Sequence, residues 1–126
     1  SFGADRVRSC VPPGFLVGRS IHSRAELEHA GPLDYVIAGT VWETVSKPGK
    51  HDLLGLDGLS ALVSASRVPV IAIGGVDASR VPALAGTGAA GIAGIGMFQG
   101  PEAACRAIAL RETAEVLHNA FSAGKM

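Results

Sequence analysis

The chain lacks an excess of either charge: 11 Lys and Arg balance 11 Asp and Glu. A neutral chain projects no global field toward nucleic acid or an anionic membrane, so neither is an expected partner. Cysteine is scarce. Cys10 and Cys105 stand far apart, lack metal-ligand spacing and both fall in helix-like patterns. Buried or idle thiols in a reducing, cytoplasmic setting are therefore expected, with a disulfide as the minor alternative. No apolar run approaches the ~18 residues that read as a membrane span. No signal-peptide pattern is visible, and because the chain opens on Ser1 an upstream segment stays open.

Glycine, by contrast, is abundant, 17 residues in a composition that is 48% hydrophobic. That mix suits a single α/β domain over residues 1–126 with a real core. Two uncharged runs stand out, Val70–Val76 (VIAIGGV) and Gly91–Phe98 (GIAGIGMF). Strands so uniformly apolar must be covered on both faces, as in parallel α/β sheets. Gly74 and Gly75 then offer bare backbone N–H groups at a strand's carboxyl end, just before a helix start. That arrangement suits a phosphate. Gly96 and Met97 occupy the equivalent place in the second run. Glycine lets backbone approach an anion, although close strand–helix packing also calls for it.

Four strands are predicted: Phe15–Ile21, Tyr35–Trp42, Val70–Ile73 and Gly91–Met97. Helix-like stretches separate them. Asp5–Val11 precedes the first strand, and Ser23 to Glu26 opens the next helix with a capping-box pattern. Leu56–Ser66 places Leu59, Leu62 and Val63 on one face. Asp77 or Ser79 can cap a helix through Leu84, with Pro82 in its first turn, and a last helix runs from Pro101 to Phe121. The order is that of consecutive βαβ units. A closed eight-stranded barrel takes ~250 residues, or ~200 when compact, so four units make half of one. The chain is then a fragment, a half that pairs with a second copy, or an open sheet. Its longest irregular stretch, Glu43–Gly55, carries Lys47, Lys50 and His51 at a strand's carboxyl end. A loop of that length contacts ligand or is simply solvated surface.

The motifs Gly18–Ser23 (GRSIHS), Asp34–Thr44 (DYVIAGTVWET), Ser46–Gly49 (SKPG) and Ile71–Val76 (IAIGGV) resemble the thiamine phosphate synthase superfamily. Arg-Ser-Ile-His-Ser and Trp-Glu-Thr are most similar to its thiazole tautomerase branch. The synthases usually carry Thr-His and Pro-Val-Phe/Tyr-Pro-Thr at those places. The resemblance runs from about Ser1 to Ala107 and covers strands five to eight of a parallel β/α barrel of the TIM type. It implies an isomerase of thiamine biosynthesis acting on a carboxythiazole phosphate, without a cofactor. The alternatives are the synthase, a transferase joining pyrimidine diphosphate to thiazole phosphate, and a non-catalytic phosphate-binding module. Magnesium enters only with the synthase, whose acidic ligands lie in strands outside this chain. The partners implied are a phosphorylated thiazole and either a second copy or the missing N-terminal half.

Ring proton transfer needs an acid/base near neutrality, and imidazole has the suitable pKa of ~6.5. His22, beside Ser20 and Ser23, is therefore the catalytic candidate that the resemblance implies; alone, it reads as a structural histidine at a strand end. Arg19 and Ser20 face opposite sides of their strand. Arg19 either meets a substrate carboxylate inside the barrel or points outward toward a helix. The resemblance adds Gly39, Thr44, Ser46 and Lys47 as substrate contacts, the last three by analogy with a pyrophosphate-binding Thr-Lys stretch. It also places Gly74, Gly75, Gly96 and Met97 around the thiazole phosphate. Gly96 stands where a serine is common, so a hydroxyl contact is absent there while the backbone N–H stays available.

Overall fold

The computed structural model describes residues 3–43 and 53–94. Helix α1 (Ala4–Cys10) leads into β1 (Gly18–Ile21), α2 (Arg24–Glu28) and β2 (Tyr35–Ala38). Then follow α3 (Gly55–Ala65), β3 (Val70–Ile73), α4 (Val81–Ala85) and β4 (Gly91–Ala93). The expected helix at 101–121 and the far end of the fourth strand lie outside the described residues.

The sheet is four-stranded, in the order β1-β2-β3-β4, and every pair is parallel. Right-handed crossovers between neighbours taken always in the same direction put every connecting helix on one face. A doubly wound sheet would instead reverse its strand order and place helices on both faces. This is a portion of a β/α barrel, as the strand spacing predicts.

Register sorts the side chains. Val36 aligns with Val70 and Ala38 with Ala72, and all four are buried against Leu59 and Leu62 of α3 in the core cluster. Ile21, paired with Ala38, joins the same layer. Ile37, Ile71 and Ile73 alternate to the other face, the one a closed barrel turns inward, and are half-buried there. The uninterrupted apolarity of VIAI thus reflects a strand with apolar neighbours on both sides.

Two strand boundaries differ from expectation. Phe15 and Leu16 precede β1 rather than belonging to it, and are 55% and 69% exposed. Their apolarity imitates a strand, but pairing begins only at Gly18 opposite Tyr35, whose ring would collide with any Cβ at Gly18. The second ladder ends at Ala38 rather than Trp42, although the Val41 and Trp42 N–H groups still bond the carbonyls of Ile73 and Gly74, each at 3.0 Å.

Helix ends depart from expectation in detail. Ser23 caps α2 by accepting from the Glu26 N–H at 3.2 Å. The Glu26 carboxylate, however, accepts from the His22 N–H at 2.9 Å, one residue earlier than a regular capping box. Helix α4 starts at Val81, later than expected, with Arg80 at its N-cap. Asp77 accepts from the Arg80 N–H at 3.1 Å and from the Ser79 hydroxyl, so it organises the turn ahead of the helix. Cys10 is a free, exposed thiol, not a buried one. Beneath the sheet, Arg8 of α1 meets Asp34 at 3.1 Å, and Asp34 in turn accepts from the Val17 N–H at 2.7 Å.

Asp34, Glu26 and Asp77 all hold their protons less tightly than ordinary carboxyls. The main causes are the bonds from the Val17 N–H, the His22 N–H and the Ser79 hydroxyl, respectively. A carboxyl whose native pKa is lowered stabilises the fold above its unfolded pKa and loses that contribution as pH falls through the native value. Thermal melts should therefore hold through the weakly acidic range and decline below about pH 4, the ordinary carboxylate range. A melting temperature that stays level down to pH 3 would contradict this.

Candidate functional site

Because all four strands are parallel, their carboxyl ends share one rim. It carries His22 after β1, Gly39 to Trp42 after β2, and Gly74 to Val76 after β3. The β2 and β3 ends are interlocked. A Cβ on Gly39 would lie 2.8 Å from the Ile73 carbonyl oxygen, and one on Gly74 would lie 2.9 Å from the Thr40 Cα. Gly74 and Gly75 have φ of +104° and +66°, the region that favours glycine. This sequence therefore needs glycine here for conformation and for space, whatever the rim binds.

The next connection leaves and rejoins this rim through tied ends. The Leu54 N–H bonds the Thr40 carbonyl at 2.8 Å, and the Gly55 N–H bonds the Val41 carbonyl at 3.0 Å. Thr44, Ser46 and Lys47 belong to the part of this connection outside the described residues, as do Gly96 and Met97 after β4.

Among the described residues, no backbone acceptor engages the N–H of Gly75 or Val76. The expected helix start does not adjoin them, because α4 is only five residues long and begins at Val81. Positive charge comes instead from Arg80. Its guanidinium bonds the Gly75 carbonyl and lies over the Trp42 ring, 4.8 Å from the centroid. Sequence reasoning missed this residue. The available signal was an arginine shortly after a Gly-Gly strand end, but the ring it covers belongs to the preceding strand's loop.

His22 and Arg19 sit differently from the glycine rim. The His22 ring is exposed and reaches Glu26 of α2, with Nδ1 3.3 Å from Oε2. Arg19 pairs with Val36, on the helix-facing side of the sheet, and its charge helps lower the Glu26 pKa. It therefore takes the outward of its two expected placements. Ser20 pairs with Ile37 and points to the opposite face, where it is exposed. The structure thus brings together Gly39, Gly74 and Gly75, while His22 contacts Glu26 and Arg19 lies on the helix-facing side of β1.

No group of three or more His, Cys, Asp or Glu suited to a metal ion occurs among the described residues. These residues do not fit a magnesium site. At the opposite end of the sheet, a cavity of about 470 Å³ lies between α2 and the end of α3, lined in part by Leu27, Leu33, Arg67 and Val68. None of the candidate site residues lines it. No described helix is long and apolar enough to cross a membrane.

Comparison with known proteins bears directly on this barrel portion. The model of the thiamine monophosphate synthase family, TMP-TENI, matches residues 2–98. The chain belongs to this family. A thiamine-phosphate synthase of Levilactobacillus brevis is 45% identical over 90 residues, 69% of this chain and 42% of that protein. One from Limosilactobacillus fermentum is 37% identical over 100 residues, 78% of this chain and 47% of that relative. The solved thiamine phosphate pyrophosphorylase from Pyrococcus furiosus superposes with a TM-score of 0.71 at 28% identity, covering 88% of this chain and 54% of that one. The chain thus spans about half the length of these TMP-TENI relatives. Their names support the synthase rather than the tautomerase branch expected from Arg19 to Ser23 and Trp42 to Thr44.

Proposed function

We propose that the chain forms half of a thiamine phosphate synthase, a transferase of thiamine biosynthesis that joins a pyrimidine diphosphate to a thiazole phosphate. The observation that carries this reading is the match of residues 2–98 to the thiamine monophosphate synthase family; the Gly74-Gly75 turn, with no described backbone acceptor on the Gly75 and Val76 N–H groups, suits the phosphate. The synthase names of the relatives support the reaction class. In the reaction, a bond from the pyrimidine's carbon to the diphosphate oxygen breaks. The diphosphate leaves with the electron pair, and the thiazole supplies the new bond.

In this reading the backbone at Gly75 and Val76 holds the thiazole's phosphate, and Gly39 allows the β2 end close enough to form the wall. Thr44, Ser46 and Lys47 are proposed as contacts of the departing diphosphate, and Gly96 and Met97 as further contacts of the phosphate, on the family resemblance alone; all five lie outside the described residues. Magnesium would be held by the half of the barrel that the relatives have beyond this match, and no role falls to the residues described here. His22 then needs no proton-transfer role. Its contacts with Glu26 suit a residue that starts α2. The phosphorylated thiazole is the small-molecule partner, and a second barrel half completes the site.

The tautomerase reading rests on the Arg19 to Ser23 and Trp42 to Thr44 motifs, with His22 as the acid/base. Calorimetry on the chain joined with the other barrel half, with magnesium present, separates the two. The synthase reading expects binding of both thiazole phosphate and inorganic pyrophosphate, the leaving group. Thiazole phosphate binding without pyrophosphate binding would favour the tautomerase. Binding of neither would overturn the phosphate site.

A further inference from the structure

Three contacts meet at the rim. The Arg80 guanidinium bonds the Gly75 carbonyl, the same guanidinium covers Trp42, and the Trp42 N–H bonds the Gly74 carbonyl at 3.0 Å. In a trans peptide the carbonyl and the following N–H point in opposite directions. Tying the Gly75 carbonyl to Arg80 therefore aims the Val76 N–H the other way. A glycine turn is otherwise the least constrained backbone in the chain. Unless its peptide planes are fixed, it would order on ligand binding at an entropic cost.

We propose that Arg80 is the positioning residue of the phosphate seat: it fixes the Gly75–Val76 peptide and locks that turn to Trp42. The inference rests on the reading that this rim holds a phosphate. The planar guanidinium matters as much as its charge. It can stack flat on the indole while an edge N–H reaches the carbonyl, which an ammonium group cannot do in the same way. Asp77 supports the lock from below by accepting from the Arg80 N–H. Its carboxylate thereby holds the Arg80 backbone.

Trp42 is the chain's one tryptophan, so its emission reports this lock directly. The test compares the wild-type chain with Arg80→Lys and Arg80→Ala, with far-UV circular dichroism as the fold control. Each is titrated with thiazole phosphate, and the unphosphorylated thiazole alcohol serves as control. In the wild type, Trp42 emission should respond saturably to thiazole phosphate and not to the alcohol. Arg80→Lys keeps the charge but loses the fork, and its midpoint should rise about tenfold, the scale of one charged hydrogen bond. Arg80→Ala should lose at least as much, with emission shifted to the red. Where Arg80→Ala loses its far-UV spectrum, Arg80→Lys decides. A wild-type chain that does not respond overturns the phosphate reading and this inference with it. A responding wild type, with an Arg80→Lys midpoint unchanged from it, overturns the positioning role alone.

Discussion

A Gly74→Val chain should melt roughly 8–20 °C below the wild type and lose thiazole phosphate binding with its fold. Two costs add at this residue. Its φ of +104° lies where L side chains are strained, at about 1–2 kcal/mol. Its new Cβ would also lie 2.9 Å from the Thr40 Cα, backbone that cannot step aside alone. Overpacking of that kind costs about 1–3 kcal/mol. In a domain of this size each kcal/mol moves the melting temperature by about 4 °C, so a combined cost of about 2–5 kcal/mol gives roughly 8–20 °C. Gly75→Val should follow the same course, because its Cβ would come within 2.8 Å of the Trp42 Cβ and 2.9 Å of the Glu43 carbonyl oxygen. A glycine needed only to admit a ligand would tolerate the change with its fold intact. Gly86→Ala is the control: φ is −71° and the nearest atom to a new Cβ is 3.7 Å away, so little change is expected. A Gly74→Val chain melting with the wild type would refute this account.

Much of the fold is legible in the sequence because parallel strands covered on both faces carry an unmistakable pattern. Val70–Ile73 is both the predicted and the observed β3. Buried Val70 and Ala72 alternate with half-buried Ile71 and Ile73, so no polar residue marks either side. Leu59 and Leu62 show the core face of α3 equally well, because helical spacing brings both onto one stripe. The same logic misleads at Phe15 and Leu16, where apolarity without a pairing partner does not make a strand. It is silent about Arg19, because alternation divides Arg19 from Ser20 without saying which face is covered. Register and the nearby Glu26 charge decide it.

The site is legible to a smaller extent. Glycines at a strand's end announce a rim, but whether they serve ligand or conformation depends on φ and on neighbours from another strand. Thr40 and Trp42 impose that constraint on Gly74 and Gly75. Arg80 was hidden for a related reason. Its significance arises from a ring in the β2 loop and a carbonyl five residues earlier, contacts that no local pattern encodes. His22, a histidine beside serines at a strand end, is a catalytic candidate from the sequence; the structure adds that its backbone N–H and its ring both meet Glu26.

At micromolar concentration the chain should sediment as a dimer rather than as a 12.8 kDa monomer. Among the described residues, β1 pairs only with β2 and β4 only with β3, so within those residues each is an edge of the sheet. Such edges invite pairing. A two-fold axis parallel to the strands would set β4 of one copy beside β1 of the other in the parallel sense, and would do so twice. That closes eight strands, the number whose interior side chains can fill. Ile37, Ile71 and Ile73, half-buried on the face away from the helices, would then line a shared interior. Closure by a second copy predicts a sharp two-species sedimentation profile whose dimer fraction rises with concentration. A polypeptide covering the family's other barrel half should compete with self-pairing. A monodisperse, folded monomer at micromolar concentration would overturn the second copy as the occupant. So would a monomer that forms only a one-to-one complex with the other half.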